Sequence, residues 1–203
     1  MYVRDARNRE EVWLLDHIEA MNLDETAFRS RDYVIAIDEE TGEQAGFGRI
    51  RIHTLDEEGD ICELTSIGVL EGWRNQGVGA HVVERLIEYA GDQNFEEVYT
   101  LAPEPGYFDQ FGFERIDEPD LPTKLTTRLH EKRDRHDREV IPMRLAVGDF
   151  RVPERLRERF KRAGKRAKPE SDPDEDEAAI VAEEFGIDPD EATYKYDPSG
   201  RRR

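Results

Sequence analysis

Residues Ile61 to Ala90 read ICELTSIGVLEGWRNQGVGAHVVERLIEYA, and this stretch decides the fold. Its first third alternates as a strand does. Ile61, Glu63, Thr65, Ile67 and Val69 are expected on one face, with Cys62, Leu64, Ser66 and Leu70 on the other. A loop holding Arg74, Gly77 and Gly79 follows. Val78, Val82, Val83, Leu86, Ile87 and Ala90 then recur at helical spacing, with Glu84, Arg85 and Glu88 outward and Gly91 as the expected stop. A strand that runs through glycines into a helix is an anion site in outline. The helix's first N–H groups lack internal partners and its dipole leaves positive potential there. Glycine lets the backbone approach a phosphate without a Cβ in the way.

Working outward, Met1 to Asp5 suits a short strand, and Asn8 with Glu11 suits the start of a helix running to about Met21. Leu23 to Ser30 has room for a second, shorter helix. Tyr33 to Ile37 is β-branched and aromatic, Thr41-Gly42 supplies a turn, and Gln44 to His53 alternates again. Phe47, Arg49 and Arg51 share one face of that strand, Ile50 and Ile52 the other. Asp56 to Asp60 reads as a polar tip, so an antiparallel meander leads into the decisive stretch. After it, Glu97 to Ala102 reads as a strand parallel to the one before the helix, through a right-handed crossover. Tyr107 to Phe111 gives one or two helical turns, ended by Gly112 before a strand from Phe113 to Ile116. The run from Leu121 is open between loop and helix, with residues 131–139 expected to be solvated. Val140 to Val147 reads as a last strand, and Pro142 places it at an edge or a bulge.

The 203 residues suffice for one domain with an appendage. Residues 1–149 are expected to form the domain and 150–203 a charged tail. From Arg151 to Lys168 there are nine basic and two acidic residues, a stretch that suits a basic helix. From Pro169 to Pro198 twelve acidic residues face one lysine, and 169–203 is expected to be partly disordered, with a short helix at Ala178 to Phe185. The formal net charge is −18, and arginine supplies 24 of 30 basic residues. Strong acidity with little lysine resembles the composition of a haloarchaeal type of protein, in concentrated salt that screens self-repulsion; an acidic mesophile protein with a long acidic tail is the alternative. One cysteine, Cys62, rules out an internal disulfide and is expected to be a buried thiol in a reducing cytoplasm. No signal-like or membrane-length apolar run appears.

At Arg74-Asn75-Gln76-Gly77-Val78-Gly79 the sequence resembles the Arg/Gln-x-x-Gly-x-Gly/Ala signature of the GNAT superfamily of acetyl-CoA-dependent N-acetyltransferases. Ile67-Gly68-Val69 and Tyr107-Phe108-Asp109-Gln110-Phe111-Gly112-Phe113 extend the likeness, as does the order of elements. A Rossmann domain fails because Val82 stands where the third glycine belongs and a meander precedes the loop. A P-loop fails because Gly-Lys-Ser/Thr is absent. The resemblance implies an α+β fold, a central mixed and mostly antiparallel sheet flanked by helices. It implies that Arg74, Asn75, Gln76, Gly77, Val78, Gly79 and Ala80 hold the pyrophosphate of acetyl-CoA, largely through backbone N–H groups. It further implies that the backbone of Ile67, Gly68 and Val69 pairs with the pantetheine arm and supplies an N–H for the oxyanion.

Acetyl transfer needs a neutral amine, and removing the ammonium proton costs about 4 kcal/mol near pH 7 if nothing assists. Glu63 is the candidate base, sharing a strand face with Ile67 and lying where related enzymes carry glutamate; partial burial would raise its pKa. Tyr107 is the candidate proton donor to the departing thiolate, although family members place that tyrosine at the position of Phe108. Arg49 and Arg51 are candidates for a substrate carboxylate, with solvation the simpler account. His53 and His81 have no evident partner, and no metal is expected.

Leu121-Pro122-Thr123-Lys124 is similar to the amino-acid-acetylating branch that includes N-acetylglutamate synthase, without the cysteine-rich segment often found there. The acceptor is therefore expected to be a primary amine of a small molecule or amino acid. Acetylation of a protein N-terminus or lysine is the second reading. The third is a nucleic-acid- or ribosome-associated module with a vestigial cofactor site, working through the basic tail. Nucleic acid is not the expected partner, a homodimer is one possible assembly, and the location is expected to be cytoplasmic.

Overall fold

The computed structural model describes residues 1–54, 59–135 and 139–164. Most of the polar tip at Asp56 to Asp60, the acidic segment 169–203 and the end of the basic segment lie outside the described residues. Among the described residues seven strands form one sheet in the order β1-β2-β3-β4-β5-β7-β6. They are β1 (Tyr2–Asp5), β2 (Tyr33–Ile37), β3 (Gln44–His53), β4 (Ile61–Val69), β5 (Glu97–Ala102), β6 (Glu114–Arg115) and β7 (Ile141–Ala146). Every neighbouring pair is antiparallel except β4 and β5. The single parallel pair is the one joined through α2 (Val78–Asp92), as the crossover requires.

Helices cover both faces. Alternation along β2 sends Val34 and Ala36 toward α2, where they join Val82, Val83 and Leu86 in the largest apolar cluster. Tyr33, Ile35 and Ile37 point the other way, onto Leu14 and Ile18 of α1 (Glu11–Ala20). Further along that second face, Leu101 packs against Leu125 and Leu129 of α4 (Thr123–Arg135). A sheet covered on both sides explains why all five residues of β2 are buried. α2 lies so close that a Cβ on Gly48 would come within 2.6 Å of Val82 and 2.9 Å of Leu86.

Several expectations change. Leu23 to Ser30 forms turns, with a 3-10 turn at Ser30–Asp32 instead of a second helix. Gly91 lies inside α2, which runs on to Asp92. The run after Leu121 becomes α4, and its charged end is not wholly solvated. β7 is internal, between β5 and β6, yet Pro142 is tolerated because the short β6 ends beside it. The domain also continues past Phe150. Val152 and Leu156 are buried in the α2 cluster, and Leu156 belongs to α5 (Glu154–Lys161).

Candidate active site

A β-bulge sets the site's geometry. Phe47 pairs with Gly68 and Arg49 with Thr65, so Gly48 alone faces both Ser66 and Ile67. Ser66 absorbs the extra residue at φ 49°, and its hydroxyl donates to the carbonyl of Asp24 at 2.7 Å. One inserted residue reverses every later side chain. Ile67 and Val69 therefore pack on the α2 side, opposite Glu63 and Thr65. The shared face read from the sequence holds only from Ile61 to Thr65.

Beyond the bulge, β4 leaves β5. The two strands pair at Glu63 with Tyr99 and at Leu64 with Thr100, and then diverge. The gap opens into a cavity of about 550 Å³ bounded by Thr65 to Val69 on one side and Thr100 to Pro103 on the other. One end reaches the start of α2, where Arg74, Asn75, Val78 and Gly79 line it. Asn75 and Gly77 are both left-handed, at φ 61° and 76°, with Gln76 between them. That alternation gathers successive N–H groups into an anion-binding concavity at a helix start. Of the expected cofactor residues, Ile67, Gly68, Val69, Arg74, Asn75, Val78 and Gly79 reach the cavity. Gln76, Gly77 and Ala80 do not line it, and Ala80 is buried in the core.

α3 (Pro105–Asp109) forms another wall, presenting both Tyr107 and Phe108. The Tyr107 hydroxyl lies against the first turn of α2, so close to Gly79 that a Cβ there would collide with it. Tyr107 thus reaches the cavity despite its one-residue offset from the family position, because α3 is only five residues long and begins at a proline.

The far end of the cavity is ionic. Glu63 is fully buried and accepts from Arg128 Nε at 2.7 Å and Nη2 at 3.2 Å. His53 Nε2 lies 2.8 Å from the same carboxylate and Lys132 Nζ 3.6 Å from it. Arg128 Nη2 also donates to Asp24 at 2.5 Å, and Arg51 stands 3.4 Å from Asp24. Asp24 and Lys132 line the cavity, whereas Glu63 lies behind them. Burial pushes the Glu63 pKa up, but His53, Lys132 and Arg128 outweigh it and hold the group down to about 2. The upward shift expected from burial alone is therefore reversed. Burial acts in the other direction on the Lys132 ammonium and lowers its pKa, opposed by Glu63. Asp24 is held well below the usual carboxylate range, its burial outweighed by Arg128 and Thr26.

This arrangement has a consequence for acid stability. Glu63 takes up its proton near 4.5 when unfolded and only near 2 when folded. Its contribution is complete above pH 4.5 and lost as pH falls toward 2, amounting to roughly 3 kcal/mol. Denaturant melts between pH 6 and pH 3 are expected to lose stability more steeply in the native protein than in Glu63→Gln. Equal slopes would contradict the pairing.

The remaining candidates fall into place structurally. Arg49 is buried, donating to the carbonyls of Thr26 and Ala27 at 2.8 and 2.6 Å, and it pins the loop after α1 instead of meeting a ligand. Cys62 is buried on the α2 side, with its thiol pushed up to about 12 by burial. His81 stacks on Phe160 with ring centroids 3.8 Å apart. The described part of the basic segment spends cations on the domain itself: Arg157 pairs with Glu84 and Arg155 with Gln110. Among the described residues no helix is long and apolar enough to cross a membrane, and no cluster of His, Cys, Asp and Glu could hold a metal ion.

Asp24, Arg128 and Lys132 escaped the sequence reading, and His53, which showed no evident partner there, meets Glu63. A faint signal existed in α4, where Arg128 and Lys132 are four residues apart beside Leu125 and Leu129, so all four share one helix face. Asp24 and His53 carry no such signal.

A glycine loop thus opens a helix at the mouth of a parallel-strand gap, and comparison with known proteins gives the family. The family model of the acetyltransferase (GNAT) family matches residues 2–113, more than half of the sequence. The chain belongs to the acetyltransferase (GNAT) family. It is 28% identical over 95 residues to a Chlorobaculum tepidum protein named uncharacterized N-acetyltransferase CT2212, covering 47% of this chain and 57% of that one. The matched part thus spans little more than half of that relative. Among solved structures, Rv2747 from Mycobacterium tuberculosis in complex with CoA superposes with a TM-score of 0.59 at 17% identity, covering 72% of this chain and 99% of that one. N-acetylglutamate synthase from Neisseria gonorrhoeae, complexed with coenzyme A and N-acetyl-glutamate, gives 0.57 at 17% identity, covering 71% of this chain and 34% of that one. At such identities the likeness concerns the fold.

Proposed function

We propose that this protein transfers the acetyl group of acetyl-CoA to the primary amine of a small molecule that also carries an anionic group, an amino acid being the simplest case. The observation that carries this reading is the single cavity joining the start of α2 to a pair of opposite charges, Asp24 and Lys132. An acceptor with an ammonium and a carboxylate complements that pair, whereas a bare alkylamine would leave Lys132 facing it. The N-acetyl-glutamate in the Neisseria structure is the acetylated form of such an acceptor, its amine converted to an amide and its carboxylates kept.

Acetyl-CoA would supply the activated acyl group. Arg74 and the N–H groups at the start of α2 would bind its pyrophosphate, and the free edge of β4 from Ile67 to Val69 would hold the pantetheine arm and an oxyanion. Tyr107, which lines the cavity, would give a proton to the departing thiolate. Asp24 would attract the acceptor ammonium, which would lose one proton to solvent before the neutral amine attacks the thioester carbonyl. As the C–S bond breaks, the nitrogen gives up its second proton to solvent and the departing thiolate takes one up. Glu63 enters as the counter-charge that positions Arg128 and Lys132; a carboxylate with pKa about 2 behind the cavity wall is a weak base for an ammonium.

The test is acetyl-CoA-dependent thiol release across amino acids, polyamines and short peptides, with the Lys132→Met variant in parallel. Amino acids are expected to be acetylated, and Lys132→Met is expected to raise their KM about tenfold or more, with a smaller change in kcat. Release only with peptides would favour protein acetylation. A preference for polyamines untouched by Lys132→Met would overturn the anionic-acceptor reading.

A further inference from the structure

The last helix among the described residues, α5, lies outside the matched residues 2–113, yet it packs on the loop that opens α2. Four contacts join this C-terminal segment to that loop and the first two turns of α2. Gly77 lies against the carbonyl oxygen of Leu156, so close that a Cβ would collide with it and lie 3.3 Å from the nitrogen of Phe160. The buried Gln76 side chain is held at both ends: its Nε2 donates to the Gly72 carbonyl at 3.2 Å, and its Oε1 accepts from the N–H of Gly164 at 3.0 Å. The Phe160 ring stacks on His81 at an interplanar angle of 7°, while His81 Nδ1 donates to the Gly77 carbonyl at 2.9 Å. One turn further on, Arg157 Nη2 and Nη1 meet Glu84 at 2.6 and 3.3 Å.

The loop therefore has two sides. Asn75, Val78 and Gly79 look into the cavity, and Gln76, Gly77 and His81 look at α5. Asn75, at φ 61°, is left-handed, a conformation asparagine adopts more readily than most residues but one that a free loop has no need to keep. The surroundings that fix this turn from behind are α5.

We propose that α5 is an intramolecular clamp on the acetyl-CoA loop, holding Asn75 to Gly77 in the conformation that aims the first N–H groups of α2 into the cavity. Acetyl-CoA affinity then depends on a helix that never touches the cofactor. The clamp rests on the reading of this loop as the acetyl-CoA pyrophosphate site. Its residues are positioning residues, and their loss weakens binding because the loop must be ordered when the ligand arrives.

The experiment is calorimetry with acetyl-CoA, together with steady-state kinetics, on full-length Arg157→Ala/Phe160→Ala and on Phe160→Tyr. The double variant is expected to raise Kd and KM for acetyl-CoA about tenfold, with kcat at saturation within twofold of the native value. Phe160→Tyr keeps the stack and is expected to bind as the native protein does. Should the double variant fail to fold, the charge swap serves: Arg157→Glu weakens binding and Arg157→Glu/Glu84→Arg restores it. A folded variant with unchanged Kd would reduce α5 to packing, and tighter binding would make it an obstruction; either overturns the clamp. No acetyl-CoA binding by the native protein would instead overturn the cofactor reading beneath it.

Discussion

Glu63→Gln is expected to destabilise the protein by about 3–5 kcal/mol, the largest stability effect of any single change proposed for the site. The carboxylate is fully buried and balances Arg128, Lys132 and, when protonated, His53. An amide keeps the shape but removes the charge, leaving Arg128 and the half-buried Lys132 with Asp24 as the remaining neighbouring anion among the described residues. Breaking a buried pair from one side is costly because the stranded charge has lost its water as well as its partner. Chemical denaturation measures the loss directly. The same variant separates two roles for Glu63. A general base predicts a large fall in kcat with stability near native. A positioning counter-charge predicts that stability falls first and that KM for the acceptor rises with it, because Lys132 is no longer anchored at the cavity wall. Native-like stability with turnover reduced a hundredfold or more would restore Glu63 as the base.

Gly79→Asp is expected to weaken acetyl-CoA binding at least about a hundredfold, equivalent to roughly 2.7 kcal/mol. Gly79 lines the cavity in the first turn of α2, with the Tyr107 hydroxyl against it and Val69 Cγ2 3.3 Å from the position of an added Cβ. The new side chain has nowhere to go without displacing α3, and its carboxylate would stand where the helix dipole favours the cofactor's phosphates. Gly79→Ala isolates the steric part. Paired with Tyr107→Phe, which removes the colliding oxygen, it is expected to recover most of the affinity lost by Gly79→Ala alone. Calorimetry with acetyl-CoA reads both effects. Unchanged affinity in Gly79→Asp would remove the start of α2 from the cofactor site.

The parts legible in the sequence were those governed by short-range rules. The strand, glycine loop and helix of Ile61 to Ala90 carry period-two and period-3.6 patterns on either side of Arg74 to Gly79, and the structure has β4, loop and α2 there. The seven strands and the one parallel crossover follow the same rules. Reading failed where one residue breaks a period. The bulge at Ser66 has no local signature, yet it moves Ile67 and Val69 to the face opposite Glu63. Gly48, forced by the approach of α2, was the nearest clue. Long-range charge was equally hidden. Glu63 and Arg128 are 65 residues apart, and Asp24 and Arg128 are 104 apart. Burial of Glu63 alone argued for a raised pKa; only the assembled cluster reverses the sign. The basic run from Arg151 suits a helix, and α5 lies there, but its packing on the domain was hidden because Val152 and Leu156 give too brief an apolar pattern to mark a buried face.

The central claim is that the cavity joins an acetyl-CoA loop to an acceptor site bearing Asp24 and Lys132. Its most direct test is the release of free CoA thiol from acetyl-CoA in the presence of single amino acids, compared with matched amines lacking the carboxylate. Saturable release with an amino acid, at least tenfold more efficient than with its decarboxylated analogue, is the predicted result. Release that is equal for the pair, or absent with every amine while acetyl-CoA still binds, would contradict it.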